Sequence, residues 1–275
     1  MLTVARDDVM RSPWMQDVAP FRIADNLYYV GNKDVSVHLV DTGEGLLLLD
    51  TSYTQAAYLL LEAIRELGFD PHDIKWILHS HGHIDHFGCT RMLVEKFGCK
   101  TYMPRRDLPL LNERADLNWH EEFGQNYEPP YDTYFVPDEL VDPGDSLCFG
   151  NTKVEVYDAG GHTPGTVAYR FILQCGLKAA MHGGIGVNTL SAAYSKKKGI
   201  GTAWRDAFIR NVRALRGLEV DIVLGNHPHQ SNTFQKMARL DEPHNPFIDP
   251  GEWDRMLDAC EKTYQRLQEN DPIVE

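Results

Sequence analysis

His79-Ser80-His81-Gly82-His83-Ile84-Asp85-His86-Phe87-Gly88 is the stretch that decides the reading of this chain. It follows directly on Ile74-Lys75-Trp76-Ile77-Leu78, an apolar run of strand length, so its first histidines stand at a strand exit. His81 and His83, two apart in extended chain, point the same way and can clasp one ion through imidazole nitrogens. Asp85 and His86 follow as the chain turns toward a helix and add a carboxylate and a further nitrogen. Crowding these solvated groups together brings no gain unless they bind something. Two adjacent metal sites are the economical explanation, set against a solvated polar turn as the bland one.

Upstream, residues 27–30, 35–40 and 46–50 are short apolar runs split by Gly-Asn-Lys-Asp and Asp-Thr-Gly-Glu-Gly, the pattern of successive antiparallel strands. Residues 55–67 place Ala56, Leu59, Leu60, Ala63, Ile64 and Leu67 at helical spacing and stop at Gly68. Downstream, a second helix is expected over residues 88–97, ending at Gly98. Residues 104–137 then lose the pattern among acids and aromatics, including Trp119, Phe123, Tyr127, Tyr131, Tyr134 and Phe135. They read as a long insertion with one short helix near 108–117, serving as a lid, as plain surface packing or as a subunit contact.

The second half repeats the theme, with strands expected at 146–149, 153–158, 167–173 and 177–181, a helix at 203–215, a strand at 220–224 and a terminal helix at 251–268. Two of its turns present a histidine from rigid backbone at a strand exit: Gly160-Gly161-His162-Thr163-Pro164-Gly165 and Gly225-Asn226-His227-Pro228-His229. No flexible linker divides the chain, so residues 1–275 read as one domain with an irregular N-terminal extension over 1–20. A layered α/β sandwich is the simplest architecture.

Composition narrows the partners. The chain has 275 residues, with 27 Lys+Arg against 40 Asp+Glu and a net charge of −13, which opposes unaided binding to phosphate backbones. Nucleic acid is not an expected partner. The one basic run, Lys196-Lys197-Lys198, reads as a solvated loop. The first twenty residues lack a basic start and apolar core, and the densest apolar run, residues 45–49, is far short of the roughly 20 residues that span a bilayer. The five cysteines are odd in number, widely spaced and free of any CxxC pair, as expected of reduced thiols. A cytoplasmic protein without a membrane partner is the expectation, and homo-oligomerisation is left open.

His81-x-His83-x-Asp85-His86, followed by Gly161-His162-Thr163-Pro164-Gly165 and a late strand-end His227, resembles the metallo-β-lactamase superfamily of metallohydrolases. The resemblance runs from the Asp50-Thr51 strand end to His227. It implies a four-layer αββα sandwich of two mixed β-sheets flanked by helices, with a metal pair at one edge. It also implies that His81, His83 and His162 hold one zinc and Asp85, His86 and His227 the other, with iron or manganese as substitutes. Many relatives place a bridging Asp after the strand that follows the His-Thr-Pro-Gly turn. Here that region reads Met181-His182-Gly183-Gly184-Ile185-Gly186, without a carboxylate. The remaining set is similar to that of the third subclass of metallo-β-lactamases, as is the opening from Ala19 to Gly31, and it argues against the thioesterase and persulfide dioxygenase branches.

Two zinc ions a few ångströms apart would lower the pKa of a shared water from near 15.7 toward about 7, which supplies a hydroxide without a Ser or Cys nucleophile. Asp85 would be the catalytic residue, both ligand and acceptor. The expected reaction is hydrolysis of an amide, lactam, ester or lactone in a small carbonyl substrate. A β-lactamase proper is a competing reading, although the serines such enzymes present have no match in Gly186-Val187-Asn188-Thr189 and no export signal is evident. A phosphodiesterase or nuclease on the same fold competes as well, and so does a non-catalytic metal-stabilised binding protein. A redox diiron role is weaker, because His83 stands where that pattern has Glu. Asp50 is expected either to hydrogen-bond the ligand loop or simply to cap a turn. Cys89 is expected to be a buried thiol, and His79, His182 and His229 to make ordinary polar contacts or to meet substrate.

Overall fold

Leu46 to Leu49 is apolar on both faces because both of its faces are buried. Alternation along the strand sends Leu47 and Leu49 into one cluster, with Tyr29, Val154, Tyr169 and Met181, and Leu46 and Leu48 into another, with Leu60, Ile64 and Leu93. The first cluster lies between two sheets and the second between a sheet and its helices, so one short run defines three layers.

The computed structural model describes residues 12–119 and 133–273. Its first sheet has seven strands in sequence order: β1 (Phe21–Ala24), β2 (Leu27–Tyr29), β3 (His38–Asp41), β4 (Leu46–Leu49), β5 (Ile74–Leu78), β6 (Lys100–Pro104) and β7 (Glu139–Val141). The β1 to β4 pairings are antiparallel, and those from β4 to β7 are parallel. The second sheet contains β8 (Ser146–Phe149), β9 (Thr152–Asp158), β10 (Val167–Ile172), β11 (Lys178–His182) and β12 (Ile222–Gly225), in the order β12-β11-β10-β9-β8. Only its β11·β12 pair is parallel.

Helices α1 (Ala57–Glu66), α2 (Ile84–Phe87) and α3 (Thr90–Phe97) come from the first half; α4 (Ala192–Lys198), α5 (Ala203–Ala214), α6 (Thr233–Met237) and α7 (Glu252–Asn270) come from the second. α1 and α3 cover the first sheet through Leu60, Ile64 and Leu93. On the far side, Phe208 and Val212 of α5 and Trp253 and Leu257 of α7 pack on Ala168, Ala180 and Val223, the outward residues of β10, β11 and β12. The result is helix, sheet, sheet, helix: the αββα sandwich of two mixed sheets implied by the resemblance.

This topology gathers the chemistry at one edge. β4 and β5 run parallel, so residues 50–52 and 79–83 leave side by side. In the other sheet, Asp158 pairs with Val167 and Ala168 with His182, while His182 pairs with Gly225. The exits of β9, β11 and β12 therefore lie together. The Val167 amide donates to the Ser80 carbonyl at 3.1 Å and joins the two edges.

Several elements differ from the sequence reading. β1, β6 and β7 were not anticipated, being three to five residues long with no extended alternation. The strand expected over 35–40 is His38–Asp41, because Asn32 Oδ1 accepts from the Asp34 and Val35 amides and holds that stretch as a turn. The helix expected over 88–97 is α3, which starts two residues later at Thr90, and a separate single turn, α2, precedes it. The short helix near 108–117 is two 3₁₀ segments, Arg105–Leu111 and Ala115–Leu117. Lys196-Lys197-Lys198 is the last turn of α4 rather than a loop; Lys196 and Lys197 are exposed as expected, while the Lys198 side chain is buried against Asp116. Pro13–Gln16 forms a 3₁₀ turn within the supposedly irregular extension. Phe123, Tyr127, Tyr131 and His120 lie outside the described residues.

Leu48→Ala removes a fully buried side chain between the first sheet and α1 and should lower the unfolding free energy by about 2–5 kcal/mol. Chemical denaturation measures this. Ile172→Ala, at a 47% exposed position on β10, should cost less than about 1 kcal/mol.

Candidate metal centre

Burial of an acid at the end of β4 organises the ligand loop. Asp50 is fully buried, in a left-handed conformation (φ 63°), and accepts from the Ser80 amide at 2.7 Å, from Ser80 Oγ at 2.7 Å and from His86 Nδ1 at 2.8 Å. It therefore bonds the ligand loop rather than merely capping a turn.

The six residues of the sequence motifs come together in two groups. One donor atom from each of His81, His83 and His162 lies within 4.8 Å of the others, and so do those of Asp85, His86 and His227. All are buried except half-buried His227. His81 Nε2 faces His83 Nδ1 at 3.0 Å, and Asp85 Oδ2 is 3.6 Å from Nε2 of both His86 and His227.

Outer hydrogen bonds select the tautomers. His162 Nδ1 donates to the Gly186 carbonyl at 2.8 Å, His227 Nδ1 to the Asp34 carbonyl at 2.6 Å and His86 Nδ1 to Asp50. Ser80 Oγ gives its proton to Asp50 and so accepts from His81 Nδ1 at 3.0 Å. In these four rings the proton sits on Nδ1, which leaves the Nε2 lone pair for the centre of the cluster. The buried Nε2 of His86 has no hydrogen-bond partner, which is costly for an imidazole unless something coordinates it. His83 differs, because its Nε2 accepts from Trp119 Nε1 at 3.0 Å.

Electrostatics favours the coordinating form. Burial pushes His81 well below the usual imidazole range and His162 down to about 4, and burial followed by the neighbouring His86 lowers His227. His86 is raised: burial opposes its charge, but the Asp85 and Asp50 carboxylates outweigh it. Neutral imidazoles beside one carboxylate form a donor set suited to a divalent borderline cation.

Asp107, which the sequence reading missed, ties the two halves of the site. Its buried carboxylate accepts from the Gly82 amide at 2.8 Å, from Thr163 Oγ1 at 2.5 Å and from the Gly165 amide at 2.6 Å. One acid thus holds the His81–His83 loop against the His162 turn. Nothing in the Arg105-Arg106-Asp107 context flags it, since its partners are more than twenty residues away in both directions. The first part of the insertion also wraps the loop, as the Ile84 amide donates to the Asn118 carbonyl at 2.9 Å. At Gly184, after β11, the backbone lies so close to the His162 ring that an added Cβ would be 2.7 Å from it.

Other candidates lie away from the centre. His79 is buried between the Tyr102 carbonyl and Thr90 Oγ1, and His182 packs on Trp253. Cys89 donates to the Tyr53 carbonyl, and burial pushes its thiol up. His229 does line the opening. Above the cluster lies a cavity of about 420 Å³, bounded in part by His83, Asp85, His162, His227, Trp119 and Asp34.

Two donor groups at one open edge of a four-layer sandwich define a class of metal-site fold, and comparison with known proteins places the chain within it. A sequence model of the metallo-beta-lactamase superfamily matches residues 30–172, more than half of the chain, which belongs to that superfamily. Among solved structures, it is similar to the subclass B3 metallo-beta-lactamase BJP-1 of Bradyrhizobium japonicum, with 26% identity, a TM-score of 0.81 and coverage of 94% of this chain and 96% of that one. The FEZ-1 metallo-beta-lactamase of Legionella gormanii is similar at 25% identity and TM-score 0.81, over 92% and 97% of the two chains. The two donor groups fit the three-His plus Asp-His-His pattern of the third subclass. A curated relative, hydroxyacylglutathione hydrolase GloC of Haemophilus influenzae, is 28% identical over 111 residues, covering 40% of this chain. The matches span only 25% to 49% of the length of such curated relatives.

Asp107→Ala strands two buried amides and a hydroxyl, so it should destabilise the protein by about 2–4 kcal/mol and weaken metal retention, with Asp107→Asn intermediate. Denaturation and metal analysis of the dialysed variants check this.

A pH dependence also follows. Burial lowers His38 and His162 to about 4 and His182 to about 3 in the folded state, while an unfolded chain protonates its imidazoles near about 6.5. The unfolded state then binds more protons, so this stability is complete above about 6.5 and is lost as pH falls toward about 4. Asp107, raised to about 6 by burial, and His86, raised against burial by the Asp85 and Asp50 carboxylates, work in the opposite direction, against six lowered imidazoles: His38, His79, His81, His162, His182 and His227. Metal-free protein in chelator should have a lower denaturant midpoint at pH 5 than at pH 7.5; an unchanged or higher midpoint would contradict this.

Proposed function

We propose that the chain, acting as one domain, is a dinuclear zinc hydrolase of amide, lactam, ester or lactone bonds in small molecules. The observation that carries this reading is the pairing of two adjacent donor groups whose outer hydrogen bonds turn four imidazole Nε2 lone pairs inward. His81, His83 and His162 would hold one cation and Asp85, His86 and His227 the other. When bound, the cations would supply a nucleophile at neutral pH by lowering the pKa of water toward about 7, together with a Lewis acid for the carbonyl.

The chain's own residues do the rest. Asp85 Oδ2, between His86 and His227, orients the attacking water and takes its proton. Asp50 holds His86 and, through Ser80, His81, so that neither ring turns when charge develops. The Gly186 and Asp34 carbonyls fix His162 and His227 in the same way. Trp119 closes one wall of the cavity and limits water there. The similarity to subclass B3 metallo-beta-lactamases puts β-lactams among the substrates to try.

Metal analysis joined to a panel of β-lactam, lactone, thioester and phosphodiester substrates tests the reading. Close to two zinc ions per chain are expected, with turnover of a carbonyl substrate. His162→Ala should lose one ion and more than about a hundredfold in kcat/KM. Full activity in metal-free protein would overturn it, and salt-sensitive cleavage of oligonucleotides would favour a nuclease instead.

A further inference from the structure

Resting on the hydrolase reading, the wall of the cavity points to a substrate class. The floor of the cavity is the donor cluster itself. Apart from Trp119 and Asp34, the rest of the described wall is Gly186, Val187, Asn188, His229 and Gln230. No Lys or Arg is present among the described lining residues, so a substrate carboxylate finds no cationic side chain to pair with. Among the described lining residues outside the donor cluster, Asp34 alone carries a carboxylate.

Asp34 is held as a recognition group would be. Its amide donates to Asn32 Oδ1 at 2.9 Å, and the Asn32 side chain in turn donates to Ser52 Oγ at 2.7 Å, which fixes the turn. Its own carbonyl accepts at 2.6 Å from Nδ1 of His227, a member of the donor cluster. Tyr53 Oη donates to Oδ2 at 2.6 Å and leaves Oδ1 without a hydrogen bond among the described residues. A carboxylate held by Tyr53 beside the cavity, with one oxygen uncommitted among the described residues, can accept from a cationic donor on a bound molecule.

We propose that the site takes a small carbonyl compound bearing an ammonium group, recognised by Asp34, and discriminates against compounds that carry a carboxylate at that place. Discrimination arises from both sides, an added charge-assisted bond for the amine and like-charge repulsion for the acid.

Binding of hydroxamates to the zinc-loaded protein tests this without requiring turnover. The probes share one metal-binding head and differ in the tail: 3-aminopropanohydroxamic acid, butanohydroxamic acid and succinic monohydroxamic acid. Titration calorimetry is run at pH 8, above the ordinary imidazole range, so that histidines add no cation. The amine should bind at least about tenfold more tightly than the acid, with the neutral compound between them. In Asp34→Asn the advantage of the amine over the neutral compound should shrink to within about twofold. Should that variant not fold, the order of the three ligands on the unaltered protein decides. Equal or tighter binding of the acid overturns the inference, as does an unchanged amine preference in Asp34→Asn. Failure of all three ligands to bind a protein that retains zinc would instead overturn the hydrolase reading, and the inference with it.

Discussion

A buried carboxylate with three donors is the interaction on which the site rests. Asp50 stands where β4 ends, and its hydrogen bonds to the Ser80 amide, Ser80 Oγ and His86 reach across to the loop after β5. A charge taken out of water is tolerated only when its lone pairs are occupied, so the acid and the loop specify each other. The parallel β4·β5 pair brings them side by side, and the apolar layers on both faces of β4 keep water away. The orientation of His81 and His86 follows from that one group.

Asp107 does for the space between the sheets what Asp50 does within one of them. It binds backbone on both sides of the cleft, at Gly82 and at Gly165, and so sets the distance between the His81–His83 loop and the His162 turn. Strand pairing alone cannot set that distance, since the two sheets touch through side chains. The Val167 to Ser80 backbone hydrogen bond is a further tie across the same gap. Burial keeps His81 and His162, which these loops carry, in the neutral form that binds metal.

Much of this was legible in the chain before folding. The run from His79 to Gly88, the glycine- and proline-framed turns around His162 and His227, and the alternation of apolar strands with amphipathic helices were enough to anticipate a layered sandwich and the six candidate ligands, whose division into two groups came with the family resemblance. Short, irregular elements were not. β6 and β7 lie in a stretch of mixed polarity, and what makes them strands is the parallel edge that β5 offers. The lysine run faces solvent at Lys196 and Lys197, as its charge suggested, but Asp116, eighty-two positions away, draws Lys198 into a buried contact.

Sequence by itself determined the kinds of donor, their order and the strand exits that carry them, because spacing within a turn and polarity within a strand are local properties. Tertiary structure alone decided which nitrogen of each imidazole faces inward, that Asp107 joins the two loops, and that Asp34 lines the cavity. Each of these depends on groups distant in sequence meeting at one sheet edge, where burial makes every unpaired polar atom costly and so leaves one arrangement in which all the outer partners are satisfied.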